Sequence, residues 1–158
     1  MAGFLSSYAL KYTYIDTEKP LLIGLGNIKQ QPNNYINKNQ IQVEEDRIII
    51  YIKNAKISRY ASTGSMLLLL GENANGIEII PLSPEQISIG NLVTFESQGE
   101  LIIHRVIDKG QDSKGYWFVT KGDNNPKTDG KIYFSQVKYI TIALIYWDYK
   151  MKTLKTRN

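Results

Sequence analysis

The chain has 158 residues, a net charge of +4 and a hydrophobic fraction of 42%. This length is enough for one domain with a substantial core. Cysteine is absent, which excludes a disulfide framework, a thiolate zinc site and a thiol nucleophile. The basic residues are scattered and no aromatic-basic recognition motif accompanies them, so nucleic-acid binding is not expected.

The first segment, residues 1–15, is apolar and aromatic but short. It has no basic leading stretch and is soon followed by Asp16 and Glu18, so it makes a poor signal peptide. A packed helix is predicted in preference to an interfacial or partner-packed helix. No run of the chain approaches the ~20 apolar residues of a membrane-spanning helix. An Asn- and Gln-rich segment around Pro32 predicts a loop. Residues 1–40 are therefore predicted to form an extension and linker.

Short apolar runs rich in Ile, Val, Tyr and Phe follow, separated by Gly-, Asn- and Asp-rich turn signals. This composition predicts strands, and their hairpin-like spacing predicts a mainly β domain, an antiparallel barrel or sandwich with little helix. The predicted domain spans residues 41–147, and the basic residues 148–158 are predicted to be a solvated tail. The predicted strands are residues 47–52, 55–61, 66–70, 76–81, 91–96, 101–107, 116–120, 131–134 and 139–147.

A few residues in this pattern could carry chemistry. Ser65 lies in a small polar cluster directly ahead of Met66 and four leucines. A serine hydroxyl needs a positioned base to become a nucleophile. His104 is the only histidine, and an imidazole with an ordinary pKa of about 6.5 can accept that proton. Asp123 or Asp129 could hold the imidazole in the required tautomer.

The same residues have ordinary structural interpretations. A single histidine in an alternating strand is commonly a surface residue or a satisfied core residue. The segment GDNNPKTDG, residues 122–130, consists of residues that favour turns for reasons unrelated to catalysis. Its acidic spacing does not fit a calcium-binding loop. Spacing alone therefore leaves the triad as one interpretation among these.

Four motifs in order carry a resemblance to a known family. They are TGSM at 63–66, IGNLVTFES at 89–97, LIIHRVI at 101–107 and TKGDNN at 120–125. Together they resemble type I signal peptidases of the archaeal and endoplasmic-reticulum branch, in which histidine replaces the bacterial general-base lysine. The resemblance covers roughly residues 40–147.

The resemblance implies a serine endopeptidase that needs no cofactor or metal. The family's nucleophile falls on Ser65 and its general base on His104. Its functionally important aspartates fall on Asp123 and Asp129. Thr63, two residues before the nucleophile, falls where related enzymes place a hydroxyl that helps the backbone amide of the nucleophile, here Ser65, to stabilise the oxyanion.

The resemblance also implies the partners and location of the protein. The family removes signal peptides from exported precursors, which bind as an added β-strand with pockets for small residues; the edge strand here is predicted in residues 55–63. The active site is expected on the extracytoplasmic side of a membrane, held there by the membrane surface or a membrane partner. The chain departs from the family in two ways. Leu67 and Leu68 stand where a proline is usual, and the transmembrane helix expected ahead of the catalytic domain is missing.

These departures leave a second hypothesis, a non-catalytic module of the same fold that binds extended peptides or scaffolds an export complex. A third hypothesis, a self-cleaving or regulatory peptidase of the related repressor class, is disfavoured because those proteins use a lysine base whereas this chain has His104.

Overall fold

The computed structural model describes residues 32–67 and 69–147. Strands account for most of the regular structure, with short 3₁₀ turns at Lys38–Gln40, Pro84–Gln86 and Phe134–Gln136. No α-helix occurs in these ranges, which confirms the prediction of a mainly β fold. The strands are β1 (Ile41–Val43), β2 (Ile48–Ile50), β3 (Lys56–Arg59), β4 (Ala74–Ile79), β5 (Leu92–Ser97), β6 (Glu100–Asp112), β7 (Gly115–Lys121), β8 (Lys131–Tyr133) and β9 (Val137–Tyr146).

The strands form two antiparallel sheets. The larger sheet has seven strands in the order β3-β4-β9-β5-β6-β7-β8, and β1 pairs with β2 in a separate hairpin. The hydrogen-bonded order of the large sheet is open, so the described strands do not form the closed barrel that was one of the predicted architectures. Strand β3 lies at one edge, with β4 as its neighbour. The predicted edge strand is therefore present in residues 56–59.

The core lies where apolar side chains of alternate strand positions meet. One cluster packs Val93 and Phe95 of β5 with Val106 of β6 and Phe118 of β7. A second, smaller cluster contains Tyr60, Met66, Leu70, Ala74 and Leu92. Because neighbouring residues of a strand point to opposite faces, Leu92 and Val93 belong to different clusters. The sheet thus has apolar packing on both of its faces along β5.

The predicted strand at residues 66–70 is wrong, because the described residues of this segment, 66–67 and 69–70, form turns. The amide of Leu67 donates to the carbonyl oxygen of Gly64, and the amide of Leu70 donates to that of Met66. Burial explains the turn: Met66 and Leu70 are each 3% exposed and pack into the smaller cluster, whereas Leu67 is exposed. An apolar run by itself does not distinguish a strand from a turn. Here Met66 and Leu70 are four residues apart, a helical spacing, and both side chains pack in the core.

Strand β6 is longer than predicted and carries the histidine. It runs through residues 108–112, a stretch whose Gly, Asp and Lys residues predicted a turn, because those residues pair with β7 as far as Asp112 and Gly115. A two-residue hairpin connects β5 to β6 through Gln98 and Gly99, both at positive φ, as a type I′ turn requires. The register of this hairpin sets His104 opposite Val93.

The segment that precedes β1 is attached to the large sheet. Tyr35 packs against the larger core cluster, and its hydroxyl donates a hydrogen bond to the side chain of Asn91 at 2.8 Å. Asn33 bonds to the carbonyl oxygen of Gln86. Contact with the domain thus begins before residue 41. The predicted N-terminal helix and the basic tail at 148–158 lie outside the described residues.

Candidate active site

The turn that carries Ser65 follows strand β3 and is built from both small and buried residues. Gly64 has a φ of +83°, a conformation that costs glycine little and other residues more. Met66 buries its side chain beside Leu92 in the smaller core cluster. The backbone of Ser65 is therefore held between a left-handed glycine and a buried anchor.

The hydroxyls of Thr63 and Ser65 lie 3.2 Å apart, within hydrogen-bond distance. In the part of the chain that the structure describes, this is the only hydrogen bond of the Ser65 hydroxyl. The structure thus brings together the two residues predicted for the nucleophile and the oxyanion donor. It does not join Ser65 to His104 by a hydrogen bond.

His104 lies in the middle of β6 and is 5% exposed. Its Nδ1 lies 2.7 Å from Oδ2 of Asp129. Because an ionised carboxylate only accepts hydrogen bonds, Nδ1 is the donor in this pair, and Nε2 is the ring nitrogen that remains for proton transfer. The ring of Phe95 packs nearby, with its centroid 6.4 Å from that of the imidazole. The structure therefore holds His104 in the tautomer that can accept a proton at Nε2.

Asp129 is itself held on two sides. The hydroxyl of Thr120 in β7 donates to Oδ2 of Asp129 at 2.8 Å, and the Asp129 amide donates to the Thr120 carbonyl oxygen at 2.9 Å. Its side chain remains 21% exposed. One carboxylate oxygen thus accepts from both the imidazole and Thr120, an arrangement that fixes the orientation of the ring.

Asp123 has a different partner. It forms a bidentate pair with Arg105, with Nε at 2.8 Å from Oδ1 and Nη2 at 2.7 Å from Oδ2. Arg105 also donates to the carbonyl oxygen of Gly90. The hydrogen bonds that Arg105 donates to Asp123 raise the pKa of Arg105 above its ordinary value. The structure therefore pairs Asp129, and not Asp123, with His104.

The loop that follows β7 holds the Ser65 turn directly. The amide of Asn124 donates to the carbonyl oxygen of Ser65 at 2.8 Å, and its side-chain amide donates to that of Gly64 at 3.1 Å. A Cβ on Gly122 would come within 2.7 Å of the Ser65 carbonyl oxygen, so only glycine permits this approach. We call Gly122–Asn125 the clamp loop. It links the Ser65 turn to the segment that carries Asp129.

A cleft of about 380 Å³ opens beside the Ser65 turn. Thr63 and Ser65 lie on one side of it, and Leu101–Ile103 of β6 form an apolar wall. Its remaining lining includes Ser58, Tyr60, Glu78 and Thr94. A volume of this size is in the range of side-chain and small-ligand pockets.

Sequence reasoning missed the residues that support this site. The motifs LIIHRVI and TKGDNN contain Arg105 and Asn124, but the sequence predicted no role for either residue. Glu78, a buried residue of the cleft, could have been identified from one feature of the sequence: it is a carboxyl residue inside the apolar run GIEIIP at 76–81. A charge in a buried strand needs hydrogen-bonding partners, and that requirement could have identified it.

Searches for metal ligands and membrane spans gave no candidates within the described ranges. Over residues 32–67 and 69–147, no group of three or more His, Asp or Glu side chains is placed to hold a metal ion. No helix in the same ranges has the length and hydropathy needed to cross a bilayer. Comparison of the chain with protein-family models, curated proteins and solved structures found no match.

Proposed function

We propose that the chain is a serine endopeptidase of the signal-peptidase type, in which Ser65 is the nucleophile, His104 the general base and Asp129 the residue that orients the base. The observation that carries this proposal is the 2.7 Å pair between His104 Nδ1 and Asp129 Oδ2. It leaves Nε2 free to take a proton. The open antiparallel sheet is consistent with a fold of the same type.

The proposed reaction follows from these positions. His104 Nε2 accepts the proton of the Ser65 hydroxyl as Oγ attacks the scissile carbonyl carbon. Asp129 stabilises the imidazolium, which then protonates the leaving amine, and water hydrolyses the acyl-enzyme by the same steps. The Thr63 hydroxyl and the Ser65 amide donate to the developing oxyanion.

Substrate binding has to complete this arrangement. In the structure the Ser65 hydroxyl bonds to Thr63 at 3.2 Å, so the proposal requires that a bound substrate shift the Ser65 turn until Oγ reaches His104. Catalytic hydrogen bonds are often formed only in the complex with substrate.

The proposed substrates are exported precursors with signal peptides, bound as an extended strand. Strand β3 supports this proposal, because it is an edge strand whose outer hydrogen-bonding groups can pair with a peptide. Two exposed leucines support a membrane-associated location: Leu67 is 48% exposed beside Ser65, and Leu101 is 63% exposed at the cleft.

The experiment is cleavage of a radiolabelled precursor in detergent micelles. Ser65→Ala and His104→Ala should each abolish cleavage. Ser65→Ala should keep the thermal unfolding midpoint of the parent protein, whereas His104→Ala, which empties a buried position, should fold but unfold at a lower temperature. Ser62→Ala, a neighbouring hydroxyl, is the matched control and should cleave normally. The parent rate should fall at acid pH as the base is protonated. Activity retained by either variant, or a rate unchanged down to pH 5, contradicts the proposal.

The second candidate is a non-catalytic module that binds extended peptides. The observation that favours it is the Ser65 hydroxyl bonded to Thr63, where a preformed dyad would have it bonded to histidine. Peptide binding that is unaffected by Ser65→Ala, with no product from any precursor, would distinguish this candidate from the enzyme.

A further inference from the structure

A buried carboxyl group lies at the floor of the cleft beside Ser65. Glu78 of β4 is 2% exposed and is surrounded by hydroxyl groups from neighbouring strands. Thr94 of β5 donates to Oε1 at 2.9 Å, and Ser58 of β3 donates to Oε2. The hydroxyls of Tyr60 and Thr141 lie 3.3 and 3.5 Å from Oε1 and 2.9 Å from each other.

A bulge in the sheet and a glycine in β4 bring the Glu78 carboxyl group and these hydroxyl groups together. A β-bulge lies between Ile77 and Glu78 in the pairing of β4 with β9, and Glu78 pairs with Thr141 there. Bulges re-aim side chains and are common beside functional sites. Tyr60 crosses β4 over Gly76, where a Cβ would lie 1.7 Å from its hydroxyl oxygen. Only glycine at 76 allows the Tyr60 hydroxyl to reach Glu78.

The direction of these hydrogen bonds determines what the cleft presents to a ligand. Ser58 and Thr94 donate their hydroxyl protons to the two carboxyl oxygens of Glu78. Their remaining lone pairs are available as acceptors, and both residues line the cleft. The Tyr60 hydroxyl lies 3.3 Å from Oε1 of Glu78 and 2.9 Å from the Thr141 hydroxyl, so its proton is used within the same network. The cleft floor therefore accepts hydrogen bonds and offers no proton.

The walls of the cleft add shape and charge to this floor. Leu101 and Ile103 line the cleft with apolar surface. The charged groups in its lining are two carboxyl groups, of Glu78 and Glu100, and one guanidinium group, of Arg59. A side chain that fits must therefore have an apolar stem and end in a donor. A lysine side chain has this form, since its methylenes pack on apolar surface while its ammonium donates three hydrogen bonds.

We propose that the cleft beside Ser65 binds a lysine side chain of the extended peptide, whose ammonium donates to the hydroxyl oxygens of Ser58 and Thr94. The resemblance to signal peptidases implied pockets for small residues only, so this is an added specificity. The identity of the peptide as a substrate rests on the proposed function. The lysine preference itself rests on the cleft and can be measured as binding.

The test uses fluorescent peptides based on one precursor cleavage region. Lysine, norleucine or glutamate is placed in turn at each of the positions flanking the cleavage bond, and the Kd is measured by anisotropy on the full-length Ser65→Ala protein. In one register, the lysine peptide should bind at least tenfold more tightly than the norleucine peptide, which has the same stem without the ammonium. The glutamate peptide should bind more weakly than both.

Two variants connect this preference to the cleft floor. Thr94→Val and Glu78→Gln, each added to Ser65→Ala, should reduce the lysine-to-norleucine ratio to threefold or less. Thr128→Val, an exposed threonine of the 122–130 loop, is the matched control and should keep the ratio. Thermal unfolding shows whether each variant folds. If Glu78→Gln does not fold, Thr94→Val alone tests the proposal.

The outcomes separate this proposal from the proposed function. Equal or tighter binding of norleucine peptides in every register overturns it, as does a lack of binding by any peptide or an unchanged ratio in the folded Thr94→Val protein. If the parent protein cleaves precursors but shows no lysine preference, the proposed function stands and the lysine site fails. If lysine is preferred and no precursor is cleaved, the site stands and the proposed function fails.

Discussion

Asp123 and Asp129 are close in the sequence but occupy different networks. Asp129 accepts from His104 Nδ1 and from the Thr120 hydroxyl. Asp123 is paired with Arg105 through both carboxylate oxygens. A carboxylate that orients an imidazole affects proton transfer, whereas a carboxylate that pairs with a guanidinium at the surface affects mainly the position of its loop. The two residues should therefore respond differently to the same substitution.

We expect Asp129→Asn to lower kcat by up to roughly 10⁴-fold, because an amide can stabilise the wrong tautomer of His104 and cannot stabilise the imidazolium. Asp123→Asn is the matched control. It should lower kcat by no more than about tenfold, the effect of weakening a part-exposed ion pair by roughly 1 kcal/mol. The measurements are kcat and its pH dependence on a precursor peptide.

The pH profile provides the decisive contrast between these variants. The acid limb of kcat should change in Asp129→Asn and keep its position in Asp123→Asn. A larger loss of kcat in Asp123→Asn, or an acid limb that moves only in that variant, would assign the orienting role to Asp123 instead.

At the scale of elements, the clamp loop and the Ser65 turn form one unit although they are far apart in the chain. The clamp loop contacts the turn through the amide and side chain of Asn124 and through the close approach of Gly122. The Asp123 amide also lies 3.2 Å from the sulfur of Met66. The position of the proposed nucleophile thus depends on a loop that begins at the end of β7.

We expect Asn124→Ala to lower kcat by about tenfold with KM nearly unchanged. The substitution removes the hydrogen bond to the Gly64 carbonyl oxygen, worth roughly 1 kcal/mol, and keeps the backbone bond to Ser65. Lys127→Ala, an exposed position in the same loop, is the control and should be neutral. An effect confined to KM would indicate that Asn124 contacts the substrate and does not position the turn.

The strands were largely predictable and the site turn was not. Alternation of apolar residues and Gly- or Asn-rich turn signals identified β5 and β7 because these features act within a few residues. The turn that carries Ser65 was not predicted, because an apolar run is also compatible with a strand. Its conformation depends on the packing of Met66 and Leu70 in the core. Likewise, the motif residues were found by resemblance, but their pairing depends on contacts between distant strands.

At the scale of the whole molecule, Tyr35 attaches the segment before β1 to the large sheet. Burial raises the pKa of Tyr35 from 10.0 to about 12, because the charged phenolate would lose hydration there, and this effect outweighs the hydrogen bonds of Asn33 and Asn91, which lower the pKa. The unfolded chain loses this proton near pH 10 and the folded protein near pH 12. The contribution to stability is therefore fully present below pH 10 and is lost as the pH rises towards 12.

We expect the free energy of unfolding to fall between pH 10 and 11.5, and to fall less steeply in Tyr35→Phe, which has no phenol to ionise at this position. Urea denaturation followed by circular dichroism at several pH values measures both slopes. Tyr51→Phe, at a ring that is 55% exposed, is the matched control. Equal slopes in the parent protein and in Tyr35→Phe would contradict the assignment. Tyr60, whose pKa is raised in the same direction, accounts for part of the slope that remains.

The mainly β class, most strand positions and the residues worth testing followed from the amino-acid sequence, because periodicity, turn chemistry and motifs are local properties of the chain. The pairing of His104 with Asp129 and of Arg105 with Asp123, and the hydroxyls that three other strands and Tyr60 place around Glu78, became evident only in the folded protein. These pairings depend on register and on bulges in a seven-stranded sheet. A shift of one residue would turn every side chain of a strand to the opposite face, so local patterns cannot specify which side chains meet.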